Sequence, residues 1–444
     1  MKKSLLAVAA LGAFASAAQA QSSVTVYGLL DVGYMGSTLK AANNGATGTS
    51  AGTVAQQTTS GFGTGAESTS RIGFKGTEDL GGGLSAFFTI ESALTPNNQQ
   101  AFSSSANTAN RQTFAGLKKN GIGQFALGTQ YTTIHNAVAA TDPGLQNNMM
   151  GNVIYDKTTA NQTSFYTQAT YSTAGTANTS GQQDNTSYTV RANNMLSLQS
   201  DTFAGFQGNA FYVLNNQNNN QTTTVTTGAG GTTEIKGGST NHTAWGLGGN
   251  YTWQKLLVTA NFQQFTDKAP STINNVTGAY SSGYPVMNGF GGTTVPGTNA
   301  KDNQQYYAAT YDFGILKAYV QYVNRKTMDV NNPNNYVART AQQIGVRSFV
   351  TPTVEAWAST GTGKYTVSSG SANTNYFVAG ASSIGSNAAN FGGFQLGSNY
   401  WLSKRTNLYA IYGQQRTSNQ NYVLNANPTS YNSNNYAVGM RTTF

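Results

Sequence analysis

Val24-Thr25-Val26-Tyr27-Gly28-Leu29-Leu30-Asp31-Val32-Gly33-Tyr34 alternates in side-chain character with a period of two. Val24, Val26, Gly28, Leu30, Val32 and Tyr34 share one face of an extended chain. Thr25, Tyr27, Leu29, Asp31 and Gly33 share the other, because successive side chains of a strand point to opposite sides. The period recurs at Leu84, Ala86, Phe88 and Ile90, at Phe206, Gly208, Ala210, Tyr212 and Leu214, and at Leu316, Ala318, Val320 and Tyr322. Alternation over about ten residues is what a strand needs when one face meets lipid and the other water. Strands of a soluble sandwich run to about five or six residues and place charges on the wet face. Here the polar faces carry Gln, Ser, Thr, Tyr and a few Arg and Lys.

Composition points the same way. Charged residues are 9% of the 444 positions, against roughly 25% in an ordinary soluble domain, yet the mean hydropathy is −0.37. The polarity is uncharged: Asn, Gln, Thr, Ser and 51 Gly. Aromatics at 11% exclude a disordered chain, and the absence of cysteine excludes disulfides, thiolate metal sites and a cysteine nucleophile. The single long apolar stretch, Leu5–Ala15, follows Lys2 and Lys3 and precedes the small-residue pattern Ala18-Gln19-Ala20. Residues 1–20 therefore read as a secretory signal peptide, too short for a membrane helix, and residues 21–444 as one exported all-β domain.

Seven connectors are short: Gly76–Gly83, Lys118–Gly123, Ser200–Gly205, Trp253–Leu256, Asp312–Ile315, Phe349–Thr353 and Trp401–Arg405. Long polar stretches separate them, at Met35–Thr69, Thr132–Thr186, Asn215–Asn241, Thr266–Asp302 and Thr362–Asn390. Short turns alternating with long loops are the pattern of an outer-membrane barrel. Seven turns joining strand pairs, with a leading strand at Val24 and a trailing strand at Asn435–Phe444, predict 16 antiparallel strands. Closure of first strand on last removes both edges, as lipid requires.

The order of these fragments resembles the general diffusion porins of β-proteobacteria, the group containing neisserial and Burkholderia-type porins. The residues carrying the likeness include Ser23-Val24-Thr25-Val26-Tyr27-Gly28, Ser70-Arg71-Ile72-Gly73-Phe74-Lys75-Gly76-Thr77-Glu78-Asp79-Leu80-Gly81-Gly82-Gly83-Leu84 and Asn110-Arg111-Gln112. Thr202-Phe203-Ala204-Gly205-Phe206, Tyr311-Asp312-Phe313-Gly314, Leu402-Ser403-Lys404-Arg405-Thr406-Asn407-Leu408-Tyr409 and the terminal Gly439-Met440-Arg441-Thr442-Thr443-Phe444 continue it. The resemblance implies a homotrimer of 16-stranded barrels in the outer membrane of a Gram-negative bacterium. Each barrel would hold its own water-filled pore for small ions and hydrophilic solutes, with short periplasmic turns, long extracellular loops and a third loop folded inward. It implies outer-membrane lipid and lipopolysaccharide as surroundings, and the barrel-assembly machinery as the reader of Phe444, which shares a face with Tyr436, Val438, Met440 and Thr442.

Alternation turns Arg71 and Lys75 away from Ile72 and Phe74, Arg191 away from Val190 and Ala192, and Arg347 away from Val346, all toward the lumen. Arg111 matches a pore arginine of the family, but simple parity puts it with Ala115 and Leu117 on the lipid face unless a strand-end bulge reorients it. Loop 3, within Thr132–Thr186, offers Asp142-Pro143-Gly144 and Asp156 as its acids, a thin opposing wall. Relatives often carry basic residues near Thr129 and Ser197, which are uncharged here. A modest preference for anions follows. Some arginines are also expected to pair with Asp31, Glu67 or Glu91.

Enzymatic and cofactor readings lack support. His135 and His242 have no second ligand or triad partner at sequence spacing. In Gly361-Thr362-Gly363-Lys364, Tyr365 stands where a phosphate loop needs a hydroxyl for Mg²⁺. Cations are scattered rather than clustered, against a nucleic-acid partner. A substrate-specific sugar or phosphate channel would need an aromatic slide or dense basic ladder, and an exported adhesin a fixed repeat.

Overall fold

The computed structural model describes residues 23–43, 54–97, 101–102, 110–156, 183–217, 224–228, 231–235, 240–268, 299–330, 333–334, 336–369, 385–418 and 429–444. The expected signal peptide at 1–20 and the 157–182 part of loop 3 lie outside them. β1 (Ser23–Asn43) pairs with β2 (Val54–Thr64) through Val32–Ala42 and with β3 (Arg71–Gly81) through Ser23–Leu29, so β2 and β3 share one wall position. β4 (Leu84–Ala93), β5 (Asn110–Lys119) and β6 (Gly123–Tyr131) follow. The two-residue β7 (Gln183–Asp184) lies on β8 (Thr189–Ser200) just above the end of β6. β9 (Phe206–Gln217) comes next, and β10 (Thr224–Gly228) with β11 (Gly231–Ile235) forms a separate hairpin.

The wall continues through β12 (Thr240–Trp253), β13 (Leu256–Lys268), β14 (Asn299–Asp312), β15 (Lys317–Asp329) and β16 (Tyr336–Phe349). It ends with β17 (Val354–Ser369), β18 (Gly385–Trp401), β19 (Thr406–Thr417) and β20 (Thr429–Thr443). Every pairing is antiparallel, and β20 closes on β1 from Leu29↔Thr443 to Asn43↔Thr429. Eighteen segments join in this sheet; with β2 and β7 continuing the positions of β3 and β6, the barrel has 16 strands.

Burial is inside out. Val24 (65% exposed), Leu127 (57%) and Ile344 (60%) stand outward, while Asp31, Gln304, Arg325, Arg339 and Gln395 are wholly buried facing in. An apolar outer skin over a polar interior is stable only when the outer solvent is hydrocarbon.

Two boundaries differ from the sequence reading. The first short turn is tighter than Gly76–Gly83, because β3 runs to Gly81 and Gly81, Gly82 and Gly83 turn with φ of +84°, +59° and +75°. Three successive left-handed positions need glycine. At the other end the strands climb into stretches read as loops, to Asn43 on β1 and Ser369 on β17. Ladder bonding persists above the apolar skin, where outward residues turn polar and alternation no longer marks a strand. Gly361–Lys364 is one such place: it is regular strand paired on both sides, not a phosphate loop.

Candidate functional site

The chain leaves β6 at Tyr131 and turns into α1 (Thr133–Thr141). Thr132 caps it, its hydroxyl accepting from the His135 N–H at 3.3 Å, and Pro143 ends it by forcing Asp142 into an extended conformation. The segment from α1 to Asp156 packs on the inward faces of the later strands. Tyr306 of β14 meets Thr141 at 2.6 Å. Gln343 of β16 accepts from the Val153 N–H at 3.0 Å, and Gln395 of β18 donates to the carbonyls of Met149 and Met150. Asn148 reaches across to Gly65 and Thr69.

Three arginines tie the segment and the approach to β8 to the wall. Arg339 donates to Ser187, the Val153 carbonyl and Asp156, and stacks over Phe391 at 4.5 Å. Arg325 pairs with Asp302 at 2.6 Å and donates to the Asn185 carbonyl. Arg347 forms a two-pronged pair with Glu355 and donates to the Pro143 carbonyl at 2.8 Å. Arg347 therefore faces inward as parity requires, but its charge is matched by Glu355. Arg325 and Arg339 were missed in the sequence, although Arg339 shares its face with Arg347 by plain alternation.

Asp142 and Asp156, expected as a thin acidic wall opposite the cations, are completely buried between segment and barrel. Asp142 accepts from the Gln146 N–H, Asn152 and Gln343; Asp156 meets Arg339 at 3.3 Å. Burial pushes the Asp142 carboxyl up to about 6. From about pH 6 down toward 3.8 the docked segment holds a proton that the undocked one releases, so this group strengthens docking as pH falls. Exchange of the Val153 amide hydrogen, which bonds the segment to Gln343 of the wall, corrected for intrinsic rate, should slow by about tenfold from neutral pH to about pH 5. Faster exchange would contradict it.

The remaining cations gather on β3, β5 and β8. The register slips between Glu91 and Ser92, leaving Arg111 as the extra residue of a bulge. That overturns its simple parity: Arg111 points inward, donating to Glu91 at 2.7 Å and to the Tyr131 hydroxyl at 2.7 Å. Arg71 stands 3.9 Å from the same Glu91 carboxylate, and Arg191 lies over the Tyr131 ring at 5.6 Å. Two guanidiniums, Arg71 and Arg111, thus share one carboxylate, which also accepts from Tyr27, while Arg191 stacks on Tyr131, the same residue whose hydroxyl accepts from Arg111. Arg71 keeps 23% of its side chain exposed; Arg191 is buried. Lys75, near the short-turn end, is exposed beside the Tyr27 ring at 5.5 Å.

Asp31 and Glu67 do not pair with arginine as expected. Asp31 accepts from Tyr409 and the backbone N–H groups of Glu67 and Ser68; Glu67 accepts from Asn399 and Asn407. Thr129 and Ser197 bond to Asn193 and Gln130. His242, given no carboxylate partner in the sequence reading, meets Asp267 at 2.8 Å across the β12–β13 ladder. Among the described residues no group of three or more His, Cys, Asp or Glu could hold a metal ion.

The sequence model of a family described as Gram-negative porin matches residues 7–420. An outer-membrane porin of Bordetella pertussis is 33% identical over 176 residues, covering 37% of this chain and 46% of that protein. Outer-membrane porin protein 32 of Delftia acidovorans is 34% identical over 225 residues, covering 49% and 51%. The chain thus matches about half the length of these relatives. Among solved structures, an anion-selective porin from Comamonas acidovorans superposes with a TM-score of 0.59 at 18% identity, covering 96% of this chain and all of that one. The trimer form of OmpT from Vibrio cholerae gives 0.52 at 15% identity, covering 95% and 99%.

Proposed function

The chain belongs to the Gram-negative porin family, and on that premise we propose that it forms a passive, water-filled channel for small ions and hydrophilic solutes, with modest anion preference. It resides in the outer membrane. The observation that carries the preference is the group of Arg71 and Arg111 on the Glu91 carboxylate and Arg191 on the adjoining Tyr131 ring, with Lys75 exposed below. The acids that would neutralise it, Asp142 and Asp156, are buried on the other side of the inward segment. Charged rings in a narrow wet pore act on permeating ions directly. Transport needs no cofactor and no chemical step; the constriction selects by size and charge.

The trimer form of a structural neighbour supports a homotrimer as the assembled state. Reconstitution in a planar bilayer tests both: insertion should give ohmic steps that close in three equal levels. Absence of any conductance would remove the channel, and single-level closure the trimer.

Phe444 serves as the barrel-assembly signal, and residues 1–20 as the export signal. Phe444 is half exposed on the outward face, and its backbone seals against Gly28 in both directions at 3.1 and 3.2 Å. Deleting it should lower the amount of assembled barrel several-fold while leaving the conductance of assembled channels unchanged. Normal assembly with altered conductance would contradict that role.

A further inference from the structure

Above the apolar skin the outward faces of the strands carry six cations among the described residues: Lys40, Lys268, Lys301, Lys326, Lys364 and Arg416. Every described Asp or Glu side chain points inward, lies in the inward segment, or stands at the short-turn end of the barrel, as Glu78 does near the end of β3. The cations are also confined to one arc, from β13 round to β1; the described outward residues of β3 to β12 at this height hold none. Each stands roughly ten residues above the level of the short turns, about 33 Å along a strand at ~3.3 Å per residue. At a tilt of about 40° that is roughly 25 Å of height, the thickness of the apolar band of such barrels. The cations therefore stand at the outer headgroup level.

The cross-strand register gives two of them a site. Lys40, Asn432, Arg416, Gly392, Thr362 and Gln342 are directly paired neighbours in one lateral row. The row beneath it holds Gln414, Phe394, Thr360, Ile344 and Val320. Both rows line an outward groove of about 1200 Å³. Its lower floor is apolar at Val320, Ile344 and Phe394, and its upper end is cationic at Lys40 and Arg416, two strand spacings apart, about 10 Å. Asn432 between them is held by Gln414 at 2.9 Å. A second outward groove holds Lys268 and Lys301.

We propose that the groove between β15 and β1 binds one phosphate-bearing lipid of the outer leaflet, its phosphate bridged by Lys40 and Arg416 and an acyl chain lying over Val320, Ile344 and Phe394. The assignment rests on the outer-membrane location and not on ion selectivity. Arg suits phosphate through paired N–H groups and Lys as a point charge. The unmatched cations favour a phosphorylated lipid over a second copy of this face, which would bring like charges together.

The test compares wild type with Lys40→Gln/Arg416→Gln, purified in detergent and titrated with lipid A as the phosphorylated probe. Retained lipid phosphorus after detergent exchange should fall, with affinity weaker by about 30-fold, about 1 kcal/mol per cation at 1.4 kcal/mol per tenfold. Unit conductance of the variant should stay at the wild-type value, which separates failure of this site from failure of the channel reading. Equal retention by both proteins overturns the proposal. Equally tight binding of inorganic phosphate in the same titration overturns the lipid assignment. Loss of oligomer with unchanged lipid retention assigns the groove to a second copy and overturns it too.

Discussion

Arg339→Ala is expected to free the inward segment from β16 and to raise the unit conductance several-fold. Arg339 is wholly buried, and its removal strands the equally buried Asp156 without its cation. Breaking one partner of such a pair costs about 3–5 kcal/mol, because the remaining charge stays in a poor solvent. The Ser187 hydroxyl and the Val153 carbonyl lose their donor at the same time. The barrel ladder does not depend on these bonds, so the assembled, heat-modifiable species should persist while the open channel widens and becomes noisy. Adding Asp156→Asn should restore part of the wild-type conductance by removing the stranded charge. A single variant with wild-type conductance would show that the segment is held by other contacts.

The barrel was legible because its determinants are local. Period-two alternation at Val24–Tyr34 and a glycine-rich turn at Gly81–Gly83 each act within a few residues, and every such fragment pointed to the same closed sheet. Inward orientation was legible where alternation runs unbroken, as at Arg71, Lys75 and Arg347; Arg191 also faces inward, though the β6–β8 register slips between Ala192 and Met195 beside it. For Arg111 plain parity gave the lipid face, and only the family match with a strand-end bulge placed it in the pore, because a single extra residue flips every assignment beyond it. Asp142 and Asp156 were legible as acids but not as buried acids, since burial is set by strands two hundred residues and more away in the chain. His242 and Asp267 meet through the β12–β13 register, which local pattern does not set.

Arg71→Glu/Lys75→Glu is expected to reverse the ion preference. Arg71 is the most exposed of the three guanidiniums and Lys75 is open to water, so both act on permeating ions with little intervening protein. Two unit charges about 4 Å apart interact by about 1 kcal/mol in water and about 4 near low-dielectric walls. Reversing two positions should therefore move the permeability ratio by about tenfold or more and carry it across unity. Arg191→Ala should shift it less, because Arg191 is buried and reaches the lumen only through its field. Added salt should shrink all of these differences as the Debye length falls to about 3 Å at 1 M.

The most direct measurement is the reversal potential of the wild-type channel in a planar bilayer under a potassium chloride gradient at low ionic strength. Arg71 and Arg111 on Glu91 and Arg191 on Tyr131, opposite acids that are buried and bonded, require a reversal potential on the chloride side. A reversal potential on the potassium side would mean that Arg71, Arg111 and Arg191 do not set the field at the constriction.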